Sequence, residues 1–430
     1  MLRRKTLLAI VFFTLSAVFL VSCGSKTSTS PQQTSSSKAS PVQLEFWYAL
    51  PGAQGQVVKD LVDEFNKTHP TIQISTTFIP TAERLTKITA AIAGGGVPDL
   101  YTAGPPDLAA LQGAKSIVPL NDLAKPGELN IEDYYPGPRK VVEKEGKIWA
   151  LPVSAGIIGL YYNKDLFKAA GLDPDKPPRT WNELVTYAQK LTDQSKEQWG
   201  LLLPTQADLY LTTIWLNFFW QNGGQFLTPD GQKAAFNSKE GADALQFWVD
   251  LFHKYKVAPL VQQNETSAIQ TFATGKVGML YAMPLWIKNT HSFPFAVGTA
   301  VLPRQINAAT TLGGWYVTIM AGSHHQAEAW TFLKWLAEPE HAAKWNIGMG
   351  SLPTSRQNQA FQKFAQNEPL VQPFLTMMAE EVQVPPTIKQ YAEISMLVAN
   401  AIHESIYQKK SPKEALDAAA LQADTLLQKK

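Results

Sequence analysis

Cysteine is almost absent from this 430-residue chain, which contains only Cys23. An internal disulfide and a thiolate cage around a metal ion are therefore both excluded. The sequence also lacks the motifs of the serine-hydrolase elbow, the zinc-protease helix, the phosphate-binding P-loop and the dinucleotide-binding turn. No motif therefore indicates a nucleophilic enzyme, a metalloprotease or a nucleotide-binding protein.

Positive charge is scarce in the body of the chain. Of the 38 basic side chains, five lie before residue 42 in a stretch without acids, so the rest of the chain holds 33 basic against all 36 acidic side chains. Nucleic-acid binders show a basic footprint, which is missing here. The seven histidines are scattered, and the adjacent His324 and His325 point to different sides of any regular element. We therefore predict no nucleic-acid partner, no metal site and no cofactor.

The N-terminus has the layout of a secretory signal peptide. Three basic residues precede an uncharged, mostly apolar run at 7–21, which is shorter than the roughly 20 residues of a membrane span. The run ends in Leu-Val-Ser-Cys at 20–23, which resembles the lipobox of bacterial lipoproteins. That resemblance implies cleavage before Cys23 and acylation of this cysteine. The alternatives are an uncleaved anchor helix and ordinary secretion.

A Ser/Thr-rich segment separates this cysteine from the first apolar pattern. We predict a signal peptide at residues 1–22 and a lipidated, flexible tether at 23–41. The folded body would then work outside the cytoplasm, on the cell surface or in the periplasm. The lipid would hold it at the membrane.

The body begins with alternating strand and helix patterns. Residues 44–48, 72–78 and 97–101 read as strands, and apolar residues between them recur at helical spacing. This β-α-β-α-β order predicts an α/β fold with a mostly parallel sheet and helices on both faces. Three glycines at 94–96 are expected to end the second helix.

The second half carries several local signals. Residues 156–162 read as one buried strand, followed by a short helix after Asn163. Further strands are expected at 272–281 and 296–302. Thr180 with Glu183, and Ser411 with Glu414, have the spacing of a capping box, in which a hydroxyl and a carboxylate satisfy backbone amides at a helix start.

Tryptophan is abundant, with twelve in the chain. A tryptophan or tyrosine ring lies flat against the apolar face of a sugar while polar neighbours bind its hydroxyls. Core packing is the alternative for each tryptophan taken alone, so the group is more suggestive than any member. The tryptophans near expected element ends are Trp47, Trp215, Trp220, Trp286, Trp315 and Trp345.

The order of short motifs resembles that of family 1 extracellular solute-binding proteins. The most specific stretch runs from Tyr-Tyr-Asn-Lys-Asp-Leu-Phe at 161–167 through Ala-Gly-Leu at 170–172 to Pro-Pro-Arg-Thr-Trp at 177–181. Weaker ones include Gly-Gly-Val-Pro-Asp-Leu at 95–100, Gly-Lys-Ile-Trp-Ala-Leu-Pro at 146–152 and Gly-Gly-Trp-Tyr at 313–316. Together they span nearly all of residues 42–430.

This resemblance implies a two-lobe periplasmic-binding-protein-like fold, with hinge strands between the lobes and a ligand cleft. It places lobe one at 42–153 and 304–352, and lobe two at 154–303 and 353–430. It also implies a monomeric receptor without enzymatic activity, which closes around a carbohydrate and docks on the permease subunits of an ABC transporter.

The resemblance also implies which positions contact the ligand, at strand ends in both lobes. Asp107 would accept hydroxyl hydrogen bonds, although a helix N-cap is an equal alternative. Gly313 and Gly314 would allow close backbone approach, with a bare tight turn as the alternative. Trp286 is the favoured stacking residue. The full set is Trp47, Tyr48, Asp107, Ser154, Gly156, Trp286, Gly313, Gly314, Trp315 and Ser351.

The charge of the ligand is the remaining question. The segment from 161 to 181 is also like that of glycerol-3-phosphate receptors, which use an arginine near the C-terminal helices. No Lys or Arg lies between Lys389 and Lys409 here, and a dianion enclosed without a charged donor is costly. A neutral di- or oligosaccharide is therefore predicted. The alternatives are a phosphorylated polyol and, since paired carboxylates can come from distant segments, a lipid-anchored carbohydrate-active enzyme.

Overall fold

The computed structural model describes residues 40–81 and 83–428. The predicted signal peptide, the lipidation site Cys23 and nearly all of the tether lie outside the described residues. Among the residues that are described, no helix combines the length and the apolar character needed to cross a bilayer.

The strands are short and fall into groups along the chain. They are β1 (Val42–Tyr48), β2 (Ile72–Phe78), β3 (Leu100–Ala103), β4 (Glu143–Lys144), β5 (Lys147–Ile148), β6 (Leu151–Ile157), β7 (Gly159–Asn163), β8 (Trp199–Leu202), β9 (Val277–Ala282), β10 (Val297–Ala300), β11 (Thr310–Ile319) and β12 (Val382–Gln383).

The helices alternate with the strands in the first third and dominate the C-terminal third. They are α1 (Gly52–Thr68), α2 (Arg84–Gly94), α3 (Pro105–Gly113), α4 (Pro136–Val142), α5 (Lys164–Ala169), α6 (Trp181–Leu191), α7 (Leu209–Gln221), α8 (Lys239–His253), α9 (Glu265–Ala273), α10 (Ile287–Thr290), α11 (Gln326–Ala337), α12 (Pro339–Met349), α13 (Gln359–Asn367), α14 (Gln372–Glu380), α15 (Tyr391–Ile406) and α16 (Pro412–Leu427).

The first sheet contains the predicted β-α-β-α-β unit. Its strand order is β12-β11-β3-β1-β2, and β6 also pairs with β11. β1 is parallel to β2 and to β3, as the alternating pattern predicts. β11 is antiparallel to both β3 and β6, because it returns from the second sheet instead of following a crossover helix. The sheet is therefore mixed, with its parallel part where the sequence predicted it.

The second sheet has the order β10-β7-β9-β8 and is mainly antiparallel. The single strand predicted at 156–162 is in fact two. β6 ends at Ile157 in the first sheet, and β7 begins at Gly159 in the second. Ile158 is fully buried between them. The chain therefore crosses from one sheet to the other at this residue.

Other strand boundaries shift for local reasons. The strand expected at 272–281 begins only at Val277, because Phe272 and Ala273 complete α9. Gly275 separates the two elements with a φ of +78°, a conformation that favours glycine.

The sequence predicted helix ends more accurately than strand boundaries. Ser411 and Glu414 form the predicted capping box at α16, and their backbone and side-chain bonds are reciprocal. Thr180 accepts from the Glu183 amide as expected, but the Glu183 carboxylate accepts from the Arg179 amide. Gly95, with φ +73°, ends α2 as predicted.

Candidate ligand-binding cleft

A cavity of about 160 Å³ lies against the paired strands β6 and β11, at the point where the chain leaves β6 for the second sheet. Gly156 and Gly313 contribute the backbone of these strands, and the start of α3 covers them from the first sheet. Met283 follows β9 of the second sheet and closes the other side. The remaining lining residues are Pro105, Pro106, Ile158, Thr213, Thr311, Leu312, Pro385, Pro386 and Tyr391.

Small residues face each other where β6 pairs with β11 at this cavity. Gly156 lies opposite Gly313, and Gly314 lies opposite Ala155. Gly314 has a φ of +151°, and a Cβ there would lie 2.3 Å from the carbonyl oxygen of Ser154. A Cβ on Gly313 would lie 3.7 Å from its nearest neighbour, which is ordinary contact. Gly314 is therefore required by the strand pairing, whereas Gly313 is a backbone surface open to the cavity.

The first-sheet side of the cleft is a network around Arg84. Its Nε donates to Asp107 Oδ2 at 2.5 Å, and its guanidinium lies 5.8 Å from the ring centre of Trp315. The Trp315 amide donates to Ser154 Oγ at 3.1 Å. Arg84, which the sequence did not indicate, thus joins Asp107 to Trp315, and Trp315 in turn bonds to Ser154.

The structure places Asp107 inside a helix, at the third position of α3. Its Oδ2 also accepts from the Gly104 amide at 3.0 Å, so it satisfies a backbone donor at the helix start from within the first turn. The carboxylate is almost completely buried. Tyr101 lies nearby with its hydroxyl unpartnered among the described residues, and burial raises its pKa well above the usual value.

The second-sheet side contains Trp286 and two acids. Trp286 follows Met283 in a short 3-10 turn, and its Nε1 donates to Glu265 Oε1 at 3.0 Å. Burial raises the pKa of Glu265, and the nearby Asp208 carboxyl adds to this shift. Burial likewise raises the pKa of Asp208, although its carboxylate accepts from the Leu211 amide at the start of α7. This side of the cleft therefore carries two carboxyl groups, neither of which forms an ion pair with a basic side chain among the described residues.

The raised pKa of Glu265 has a consequence for stability against pH. The folded state holds this proton more tightly than the unfolded state, so stability falls as pH rises from the usual value of 4.5 through the raised one. We expect Glu265→Gln, which retains an acceptor for Trp286, to remove this loss. Denaturant unfolding at pH 4 to 8 should show a flatter profile for the variant and greater stability at neutral pH. The exposed Asp63 on α1 supplies the control, because Asp63→Asn should leave the profile unchanged. If the pH profile of Glu265→Gln matched that of the wild type, the raised pKa of Glu265 would be contradicted.

Three predicted residues lie away from these two networks. Trp47 is part-buried on β1, where its Nε1 donates to Glu45 at 2.6 Å. Tyr48 is buried in the core, with its ring centre 5.7 Å from that of Phe78. Ser351 donates to Asn346 Oδ1 at 3.0 Å and borders a different, mainly apolar cavity.

The tryptophans divide between core and cleft. Trp215, Trp220 and Trp345 are buried and do not line the cleft cavity, whereas Trp286 and Trp315 are part-exposed and lie three and two residues after the lining residues Met283 and Gly313. The sequence did not indicate Arg84 or Glu265, because each belongs to the site only through a contact with a residue on another element, Asp107 and Trp286 respectively. An N-cap signal at Asp208, before the apolar run of α7, is the one sign that could have been read. No group of acidic, histidine or cysteine side chains within the described ranges could hold a metal ion.

Known proteins are similar to this chain both in sequence and in structure. The family model of bacterial extracellular solute-binding proteins matches residues 50–343. The sn-glycerol-3-phosphate-binding periplasmic protein UgpB of Escherichia coli (strain K12) is 26% identical over 417 residues, which cover 90% of this chain and 92% of that protein.

Solved structures also match over nearly the whole body. The cyclic alpha-maltosyl-1,6-maltose binding protein from Arthrobacter globiformis has a TM-score of 0.80 and 30% identity, covering 91% of this chain and all of that one. The maltose-bound MalE3 of T. maritima has a TM-score of 0.77 and 26% identity, covering 90% of this chain and all of that one.

Proposed function

This chain belongs to the family of bacterial extracellular solute-binding proteins, and on that premise we propose that it captures a neutral di- or oligosaccharide and delivers it to an ABC-transporter permease. The predicted α/β fold of two lobes with a cleft between them is confirmed by the matching structures. Members of this family and the matching proteins bind solutes. We propose that this chain likewise catalyses no reaction.

The observation that carries the sugar proposal is a part-exposed tryptophan on each side of the cleft, each beside hydrogen-bonding groups. Trp315 lies with Arg84 and Asp107 on one side, and Trp286 with Glu265 on the other. The carboxylate of Asp107 accepts both of its hydrogen bonds, from Arg84 and from the Gly104 amide, through Oδ2. An apolar ring face with polar edges fits this arrangement.

The charges at the cleft favour a neutral ligand. The guanidinium of Arg84 is paired with Asp107, and two further carboxyls, Asp208 and Glu265, adjoin the opposite side. A phosphate would meet an excess of negative charge and no unpaired cation among these groups. Tyr391 at the start of α15 lines the cavity, but α15 contains no Lys or Arg. A dianion enclosed there would be poorly compensated.

A phosphorylated polyol such as glycerol 3-phosphate is the second candidate. It is favoured by the name of the UgpB relative and by Arg84, a basic group beside the cleft. For this reading, the phosphate would have to compete with Asp107 for the same guanidinium. The neutral sugar is preferred because it leaves that buried ion pair intact.

Hinge closure is part of the proposal. The cavity of about 160 Å³ is smaller than the several hundred Å³ usual for ligand sites, so an oligosaccharide requires the lobes to separate further. We propose lobe one at 42–153 and 304–352 and lobe two at 154–303 and 353–430. The break at Ile158, and the return of the chain from β10 of the second sheet to β11 of the first, support hinges at these places.

We also propose that the body acts as a monomer held at the outer face of the membrane through acylated Cys23. The lipobox at 20–23 and the Ser/Thr-rich stretch after it support this assignment. Mass spectrometry of the chain purified from membranes should find diacyl or triacyl mass on an N-terminal Cys23. An unmodified or uncleaved N-terminus would contradict it.

Thermal unfolding of the chain against mono-, di- and trisaccharides and glycerol 3-phosphate tests the ligand class. A ligand that binds only the folded state stabilises it by about 2.7 kcal/mol at one hundred times its dissociation constant. A shift with neutral saccharides alone is expected. A shift with glycerol 3-phosphate alone would overturn the neutral-ligand reading in favour of the second candidate. Turnover of an added glycoside would instead support the carbohydrate-active enzyme.

A further inference from the structure

A second, larger cavity lies beside the first sheet, and its lining includes residues 151–153 of β6. It occupies about 560 Å³ between helices α11 and α12, strand β6 and the segment 354–359, and we call it the α11–α12 cavity. It shares no lining residue with the cleft cavity. Its volume is within the range of small-molecule sites.

Three aromatic residues are among those that line it. Trp330 and Trp345 are both buried residues that line it, and Tyr134 lines it as well. Burial raises the pKa of Tyr134 to about 12, so its hydroxyl stays neutral at physiological pH. Rings of this kind, next to polar groups, suit a ligand with both apolar faces and hydroxyls.

One buried donor at the cavity, Nε1 of Trp345, has no partner among the described residues. Asn358 also lines the cavity, where its Oδ1 accepts from the Phe361 amide and caps α13. Trp345 is 1% exposed and Asn358 is 4% exposed. A buried donor left unpaired costs about 1–3 kcal/mol, so an acceptor in the cavity would be favourable.

Trp215 and Trp248 also have unpartnered indole nitrogens, so an orphan donor alone does not define a site. Trp345 differs from them because it lines one of the cavities described here. The two other tryptophans are packed in the core away from these cavities and serve below as controls.

The charged groups at the cavity are already paired. Glu128 accepts from Lys334 at 2.8 Å and from the indole of Trp330 at 3.2 Å, and the Lys334 hydrogen bond lowers the pKa of Glu128 to about 2. Asp133 accepts from the side-chain amides of Asn130 and Gln357 at 2.8 and 2.9 Å. The residues that line the cavity therefore offer no unpaired cation to an anionic ligand.

We propose that the α11–α12 cavity is a second binding site for a neutral, polyhydroxylated molecule of saccharide size, independent of the cleft. The acceptor oxygens of such a ligand take the indole Nε1–H of Trp345 and the amide Nδ2–H of Asn358. Its apolar ring faces lie against the three aromatic residues. Binding is weaker than in the cleft, because no strand movement encloses the ligand.

The test uses the full-length chain labelled with 5-fluorotryptophan and titrated with maltose and with maltotriose to tens of millimolar. Fluorine NMR resolves individual tryptophans, and Trp→Phe variants assign the resonances. The titration is repeated in Trp286→Ala, in which the cleft is weakened. We expect the Trp345 resonance to shift and saturate in both proteins, while those of Trp215 and Trp248 stay fixed.

Asn358→Asp is the matched variant, because an aspartate keeps the oxygen that caps α13 and removes the amide donor. We expect it to weaken saccharide binding at the Trp345 reporter about tenfold and to leave cleft affinity unchanged. A Trp345 resonance that never moves while the cleft binds saccharide would overturn the second site alone. Loss of its shift in Trp286→Ala would also overturn it, since the reporter would then follow the cleft. A chain in which no tryptophan responds would overturn both saccharide assignments.

Discussion

Replacement of Trp286 by alanine is expected to weaken saccharide binding at least 30-fold, which corresponds to about 2 kcal/mol. Two losses combine in this variant. The ring is removed from the second-sheet side of the cleft, and the part-buried Glu265 carboxyl loses the indole N–H donor, whose nitrogen lies 3.0 Å from Oε1. Isothermal titration calorimetry with the sugar identified by thermal unfolding measures the change.

Two further variants separate these losses. Trp286→Phe keeps an aromatic face but cannot donate to Glu265, so its affinity should fall between wild type and Trp286→Ala. Trp149 donates to the Lys144 carbonyl before β6, outside the cleft lining, and Trp149→Ala should leave affinity unchanged. Unchanged affinity in Trp286→Ala would remove the stacking assignment while the receptor function stands.

The adjacent glycines of β11 should respond to alanine in opposite ways. Gly314→Ala is expected to destabilise the fold by about 2–3 kcal/mol, because its Cβ would lie 2.3 Å from the Ser154 carbonyl oxygen and its φ of +151° disfavours a side chain. Gly314 and Ser154 lie on paired strands, so local relief would require β6 and β11 to move apart. Urea unfolding with a two-state fit for the body gives the free energy.

Gly313→Ala provides the internal control. Its Cβ would meet only the Gly156 carbonyl oxygen at 3.7 Å, so stability should equal or slightly exceed that of the wild type. Gly313 lines the cleft, so this variant should instead lower ligand affinity. Equal loss of stability in both variants would show that the pairing tolerates no side chain at either position. Equal stability in both would contradict the steric argument for Gly314.

The predictions of local structure succeeded where the signal was local. The β-α-β-α-β order, the stop at Gly95 and the capping box at Ser411 each depend on residues within one turn or one strand. Alternation, helical spacing and cap chemistry act over that distance, so they can be read from a linear sequence. The mainly antiparallel second sheet and the mixed edge of the first depend on which strands meet, and no local pattern specifies that.

The sheet crossing shows where a linear pattern becomes ambiguous. Residues 156–162 are uniformly apolar, and a buried strand in one sheet has the same pattern as two buried strands in different sheets. Only the packing of β6 against β11 and of β7 against β9 reveals the break at Ile158. Ser154 and Gly156, two of the predicted site residues, both lie in β6 before this break.

The sequence by itself determined the α/β elements, the family, the poverty of cationic groups near α15 and the expectation of an aromatic cleft. Tertiary structure alone decided that Arg84 pairs with Asp107, that Trp286 lies beside Glu265 and that Trp345 borders a second cavity. The reason is physical. Propensities and caps are set by neighbours along the chain, whereas ion pairs, burial and cavities arise between segments that only folding brings within a few ångströms of each other.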